Sequence, residues 1–181
     1  MKHILAQTVL TASISLPALS QTPPAPAPDD VPLAVITEWA QVAIAACKAN
    51  GYNVTAGYMT PDYAMKLVMR SDGTAARTVD IARRKAYTVL KTGKPSGEFG
   101  ASVTPPAGAP APAAAPGALP GQVPGENVDT NLVTFAGGLP VKIGDKIVGA
   151  VSISGAPGGD KDEACAAAGL AKIAGKLVAK K

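Results

Sequence analysis

The sequence predicts an α+β fold, in which an antiparallel sheet of about five strands is covered by helices. Three observations lead there. Two pairs of β-prone runs are each joined by a short turn, at Thr60-Pro61-Asp62 and at Gly144-Asp145, and such hairpins pair antiparallel. The hairpins are segregated from the helix-periodic stretches, and those helices must cover at least one face of the sheet they form. The chain is 47% hydrophobic but only 4% aromatic, so Ala, Val, Ile and Leu build its core; 181 residues suffice for one core and not for two ordinary ones.

Residues 1–20 stand apart from the fold. Lys2 and His3 give a positive start, Ile4 to Leu16 a modestly apolar run and Ala18-Leu19-Ser20 a small-x-small cleavage site, which is the pattern of a secretory signal peptide. Polar residues between Gln7 and Ser15, followed by Pro17, keep this run short of the roughly 20 apolar residues a spanning helix needs. No cysteine follows the cleavage site, so no lipid anchor is indicated. The expected location is periplasmic or secreted, without membrane insertion after cleavage. Residues 21–32 hold five prolines and Asp29-Asp30 and read as an extended tail, which leaves 33–181 as one domain.

Within that domain, Leu33 to Ala49 reads as a helix with Ile36, Ala40, Ala43 and Cys47 on its inner stripe and Asn50-Gly51 as its stop. Tyr52 to Met59 and Ala64 to Arg70 alternate as two strands. Met59, Met65 and Met69 are expected to cluster, more as adaptable core filling than as a ligand set. After Ser71-Asp72-Gly73, a helix spans Thr78 to Leu90, with Thr78 as cap, Asp80 in the first turn and Ala82, Ala86 and Val89 inward. Ser96 caps a short helical turn. Residues 104–125 contain seven prolines, seven alanines and four glycines in 22 positions, a composition that builds no core; they form an insertion.

Leu132 to Phe135 resumes as a strand, followed by the hairpin of Pro140 to Ile143 and Lys146 to Ser154. In the second of these runs Ile147, Val151 and Ile153 should face the core, opposite Lys146, Val148, Ala150, Ser152 and Ser154. Gly155, Gly158 and Gly159 end the strand. A last helix, capped by Asp160 or Asp162, runs from about Asp162 to Ala179 with Ala167, Leu170, Ala171, Ala174, Leu177 and Val178 inward.

Several functions are excluded or weakened by what is missing. Removing Lys2 with the leader leaves 16 basic residues against 13 acidic ones, a mild balance without the basic and aromatic interleaving of a nucleic-acid reader. The only histidine, His3, lies in the leader, so the mature chain cannot supply a Ser-His-Asp triad, a histidine-bound zinc or a proximal haem histidine. Cys47 and Cys165, 118 residues apart, are either a disulfide or two buried thiols. The glycine turn before the last helix lacks the spacing of a phosphate loop, and Asp160, Asp162 and Glu163 place negative charge where an anion would sit.

Four blocks carry a resemblance. The Gly51-Tyr52-Asn53-Val54 entry to the first strand, RSDGTAARTVDIARRKAYTVL from Arg70 to Leu90, GGLPVKIGDKIVGAVSISG from Gly137 to Gly155, and DEACAAAGL from Asp162 to Leu170 resemble the haem-degrading, haem-binding domain family. Its relatives include proteins encoded beside glycolate oxidase and the C-terminal domain of some corrinoid adenosyltransferases. The resemblance implies a profilin-like three-layer domain with the sheet between helices, assembly into homo-oligomers, and haem or a related tetrapyrrole as ligand. It points to Arg70, Asp72, Arg83, Lys85 and Tyr87 as ligand-binding residues, with Arg83 and Lys85 facing propionates. The expected function is thus an exported binding protein for a small molecule such as haem, held without a histidine ligand. The alternatives are an enzyme that degrades haem or acts on a small organic acid, and a structural oligomer with no ligand.

Overall fold

The computed structural model describes residues 30–105, 109, 117–124 and 128–178. The leader, nearly all of the proline-rich tail and much of the 104–125 insertion lie outside them. Helix α1 (Leu33–Ala49) has the predicted bounds, and Ile36, Ala40, Ala43 and Cys47 are buried together with Trp39. The Asn50 N–H returns to the last carbonyls before Gly51 reverses the chain at φ +80°. Strands β1 (Thr55–Met59) and β2 (Met65–Arg70) form the first hairpin. Helices α2 (Thr78–Thr92) and α3 (Ser96–Val103) follow, then strands β3 (Gly138–Ile143) and β4 (Lys146–Ser154), helix α4 (Gly159–Ile173) and a 3-10 turn over Ala174–Lys176.

The strands form one antiparallel sheet in the order β2-β1-β4-β3. Helices α1 and α4 cover one face and α2 the other, giving three layers. The sheet has four strands. Leu132 to Phe135 makes only an isolated bridge, Val133 with Gln122, because α2 takes the backbone groups a ladder would use. The Val133 N–H donates to Thr88 Oγ1, and the Leu132 carbonyl accepts from Arg84.

Coverage on both faces also corrects the reading of β4, which is buried from Val148 through Ser154 rather than on one side. Ala150 and Ser152 are small enough for α2 to approach, and Ala150 packs with Met59, Ala86 and Val89. On the opposite face Val151 and Ile153 join the larger cluster of α1 and α4. Met59 and Met65 pack on the α2 side while Met69 packs against the other core, so the three methionines do not form one group. Thr78 does not cap α2; Arg77 precedes the helix, and the Thr78 hydroxyl is shared with Thr55 Oγ1 and the Ala75 carbonyl, each at 2.7 Å.

Helix α4 starts earlier than its sequence suggests and presents a different stripe. Asp162, Cys165, Ala166, Gly169 and Ile173 are buried, whereas Ala167, Ala171, Ala174 and Val178 are exposed and Leu170 and Leu177 only partly covered. Contacts with α1 set this phase. Trp39 Nε1–H donates to the Ala166 carbonyl at 3.1 Å, and a Cβ on Gly169 would lie 2.6 Å from the indole. A disulfide joins Cys47 to Cys165, with Cα atoms 5.5 Å apart.

Candidate functional site

A cleft of about 540 Å³ opens where several element ends meet: the end of β4 at Ser154, the starts of α2 and α4, and the Gly51–Asn53 approach to β1. That volume is in the range of small-molecule sites, roughly 300–1,000 Å³. Tyr52, Ile81, Phe135, Ala156 and Pro157 give it apolar walls. The glycine turn borders it in a conformation no other residue would adopt, with Gly155 at φ +141° and Gly158 at φ +128°. A Cβ on Gly155 would also sit 2.5 Å from the Asn53 carbonyl, so the turn packs backbone against backbone.

An ion pair closes the cleft floor. Lys85 of α2 meets Asp162 of α4 at 2.7 Å, with side chains 2% and 4% exposed, and its ammonium also donates to the Ile153 carbonyl at 2.9 Å. The other carboxylate oxygen of Asp162 accepts the Ala156 N–H at 2.9 Å, which ties the glycine turn to the pair. Burial pulls both groups toward neutrality: desolvation lowers the Lys85 pKa and raises that of Asp162, and their mutual attraction opposes both shifts. Gly137 makes room for the pair, since a Cβ there would lie 2.8 Å from Lys85 Nζ.

The residues singled out in the sequence do not converge on this cleft. Of the five, Lys85 alone lines it, as a buried, paired group rather than a free surface cation. Arg83 turns outward to Asp80 at 2.9 Å and to Asn131 Oδ1 at 3.0 Å. The Tyr87 hydroxyl donates to Asp129 Oδ2 at 2.6 Å, and its ring packs on Tyr63 with centroids 5.2 Å apart. This hydrogen bond pushes the Tyr87 pKa up to about 12 and lowers that of Asp129. Arg70 and Asp72 are exposed and flank the turn whose Gly73 and Thr74 border the cleft. Arg84 is buried, with its Nη atoms on the Pro120 and Leu132 carbonyls at 2.9 Å and its Nε unpartnered. Arg83, Arg84 and Lys85 are consecutive in sequence, yet their side chains go to three different places.

Sequence reasoning missed Arg77, Asn53 and Ser154 in the cleft wall. Arg77 stands just before α2, where a helix-start signal directs attention to the cap and not to the residue preceding it. Among the described residues the lining has no histidine, methionine or free cysteine, and no group of three or more His, Cys, Asp or Glu is placed to hold a metal ion. The Tyr52 phenol is the one aromatic hydroxyl in the wall. Among the described residues no helix is long and apolar enough to cross a membrane.

No curated protein matches this chain significantly. Solved structures do. The Klebsiella pneumoniae protein ORFY, of the DUF336 family, aligns at TM-score 0.66 and 20% identity over 86% of this chain and 98% of its own. HbpS aligns at TM-score 0.63 and 24% identity, covering 88% of this chain and 99% of its own. PduOC, solved as a heme complex, aligns at TM-score 0.64 and 17% identity over 78% and 94%. At these identities the likeness is one of fold. Residues 31–171 match the model of the HbpS-like haem degrading proteins, and the chain belongs to that family.

Proposed function

We propose that this protein is an exported binding protein that takes haem or a related tetrapyrrole in the cleft between α2, α4 and the end of the sheet. The observation that carries the proposal is a cleft of about 540 Å³ with Tyr52 and Phe135 among its lining residues and a charge-compensated floor. Support comes from membership of a haem degrading family and from the fold shared with PduOC, whose heme complex is known. The lining offers a macrocycle the apolar residues Tyr52, Ile81 and Phe135 along one side of an open cleft, and no histidine; when bound, haem would supply its iron chemistry and its chromophore. Tyr52, Ile81 and Phe135 exclude water from the macrocycle face. Lys85 keeps the floor closed by holding Asp162, and Arg83 and Tyr87 act outside the cleft by fastening residues 129–131 to α2. Export rests on the leader at residues 1–20, and homo-oligomerisation on the family resemblance.

Haemin titration tests the proposal. A Soret shift saturating near one haemin per chain, weakened by Phe135→Ala, is expected; no shift at stoichiometric haemin would sink it and favour a structural oligomer. A second reading, haem degradation, is favoured by the family's description and by the buried Lys85–Asp162 pair at the floor of the cleft. Loss of the Soret band under reductant and air would select it over simple binding.

A further inference from the structure

Among the described residues, one buried hydroxyl has no partner. Thr55, Thr78, Thr88, Ser96 and Ser152 are buried and each hydroxyl is hydrogen-bonded. Ser154 is 3% exposed, and its hydroxyl has no hydrogen-bond partner among the described residues. It is not sealed inside the protein either, because among the described residues the one fully enclosed, unpartnered side-chain atom is Arg84 Nε. Ser154 lines the cleft, on the same strand face as Ser152, toward α2. Buried hydroxyls left without a partner are uncommon, since the loss costs about 1–3 kcal/mol, so one that borders a cleft is a donor or acceptor held ready for a ligand.

Arg77 lines the same cleft. It is exposed, stands at the N-terminus of α2, and its guanidinium makes no ion pair or hydrogen bond among the described residues. Every other charge in the wall is already matched, because Lys85 and Asp162 neutralise each other. The cleft therefore carries one uncompensated positive charge and one uncommitted hydroxyl. A monoanion balances it. A phosphate dianion would leave excess negative charge near the first turn of α4, which already carries Asp160.

We infer that Arg77 and Ser154 form a carboxylate-binding subsite at this cleft, with the guanidinium gripping the carboxylate and the serine hydroxyl donating to it. The ligand class is a carboxylic acid with an apolar body that runs along Tyr52, Ile81 and Phe135. The carboxylate comes either from a side chain of a tetrapyrrole or from a free apolar acid. The inference deepens the haem-binding proposal and rests on the same cleft, but not on the same ligand.

Isothermal titration of the purified protein with protoporphyrin IX, with its dimethyl ester and with 4-phenylbutyrate separates the cases. Arg77→Gln should weaken protoporphyrin IX binding about tenfold or more, as loss of a charged hydrogen bond does. Ser154→Ala should weaken it by a smaller factor, and neither change should alter binding of the dimethyl ester. If 4-phenylbutyrate binds in an Arg77-dependent way while neither porphyrin binds, the subsite stands and the tetrapyrrole reading falls. If protoporphyrin IX binds wild type and Arg77→Gln equally, or if the ester loses as much as the acid, the subsite is overturned while the tetrapyrrole reading stands. If none of the three probes binds, both fall.

Discussion

Replacing Lys85 by Met should destabilise the protein far more than an ordinary surface lysine change. The side chain is 2% exposed and its partner Asp162 4% exposed, so the substitution leaves a carboxylate in a nearly dry site with only backbone N–H groups of the glycine turn, Ala156 foremost, to satisfy it. Removing one partner of a buried pair costs about 3–5 kcal/mol, a large part of the 5–15 kcal/mol that holds a typical domain together. For a fold of this size the loss corresponds to a fall in Tm of roughly 10–20 °C. Asp162→Leu should cost a similar amount. The double variant Lys85→Met with Asp162→Leu should recover most of it, to within about 2 kcal/mol of wild type, since an apolar pair needs no desolvated charge and only the bonds to Ile153 and Ala156 are lost. Urea midpoints of the four proteins complete the cycle. The pH dependence adds a second readout. With Lys85 gone, its attraction no longer opposes desolvation and the Asp162 pKa rises further, so the folded state binds the proton more tightly than the unfolded one and stability falls as pH rises through that window. Lys85→Met should therefore gain stability on mild acidification from neutrality. A single-variant cost below about 1 kcal/mol, or a double variant as unstable as the sum of the singles, would refute the assignment of a compensated buried pair.

Other expectations follow from local geometry. Reducing the Cys47–Cys165 bond, which closes a span of 118 residues, should lower stability by about 2–5 kcal/mol, read as a drop in urea midpoint on adding a phosphine reductant. Tyr87 should ionise near pH 12 in absorbance at 295 nm, and Asp129→Asn should bring it down. The raised Tyr87 pKa means that its contribution to stability is complete below the ordinary tyrosine range and is lost as pH rises through about 12; the lowered Asp129 pKa means that its contribution is lost on acidification. Gly149→Ala would place a Cβ 2.3 Å from the Tyr58 hydroxyl, which is fixed on the Val148 carbonyl, so overpacking should cost about 1–3 kcal/mol by thermal melt.

What the sequence could show depended on how far away each residue's partners lie. Helix α1 was legible to its end residues because its signals are local: an apolar stripe at helical spacing and an Asn-Gly stop. Helix α4 was legible as a helix but not in phase. Its stretch of alanines has almost no contrast between faces, and the phase is fixed by Trp39 and Cys47, more than a hundred residues earlier. The failed strand at Leu132 to Phe135 has the right composition, but its carbonyls and amides are claimed by Arg84 and Thr88, whose burial no periodicity announces. For the candidate site the same holds. Lys85 was noticed through a motif, yet its partner lies 77 residues on, so its role as a floor was invisible. One signal was available and unused: beyond Lys146, the supposed polar face of β4 is Val, Ala, Ser and Ser, with no charge, as expected of a strand covered on both sides.

The strand order has a consequence for how the chain assembles. Each hairpin, β1 with β2 and β3 with β4, closes locally, whereas the central pairing of β1 with β4 joins segments such as Met59 and Ala150 that are distant in sequence. Non-local pairings of this kind slow folding, because chain entropy is lost before contacts compensate for it. The sheet is thus two quick halves with one slow seam. Cys47 lies just before the first seam strand and Cys165 just after the second, so a disulfide formed early would hold the two halves within reach of each other, and its main effect would be on the rate at which the seam closes.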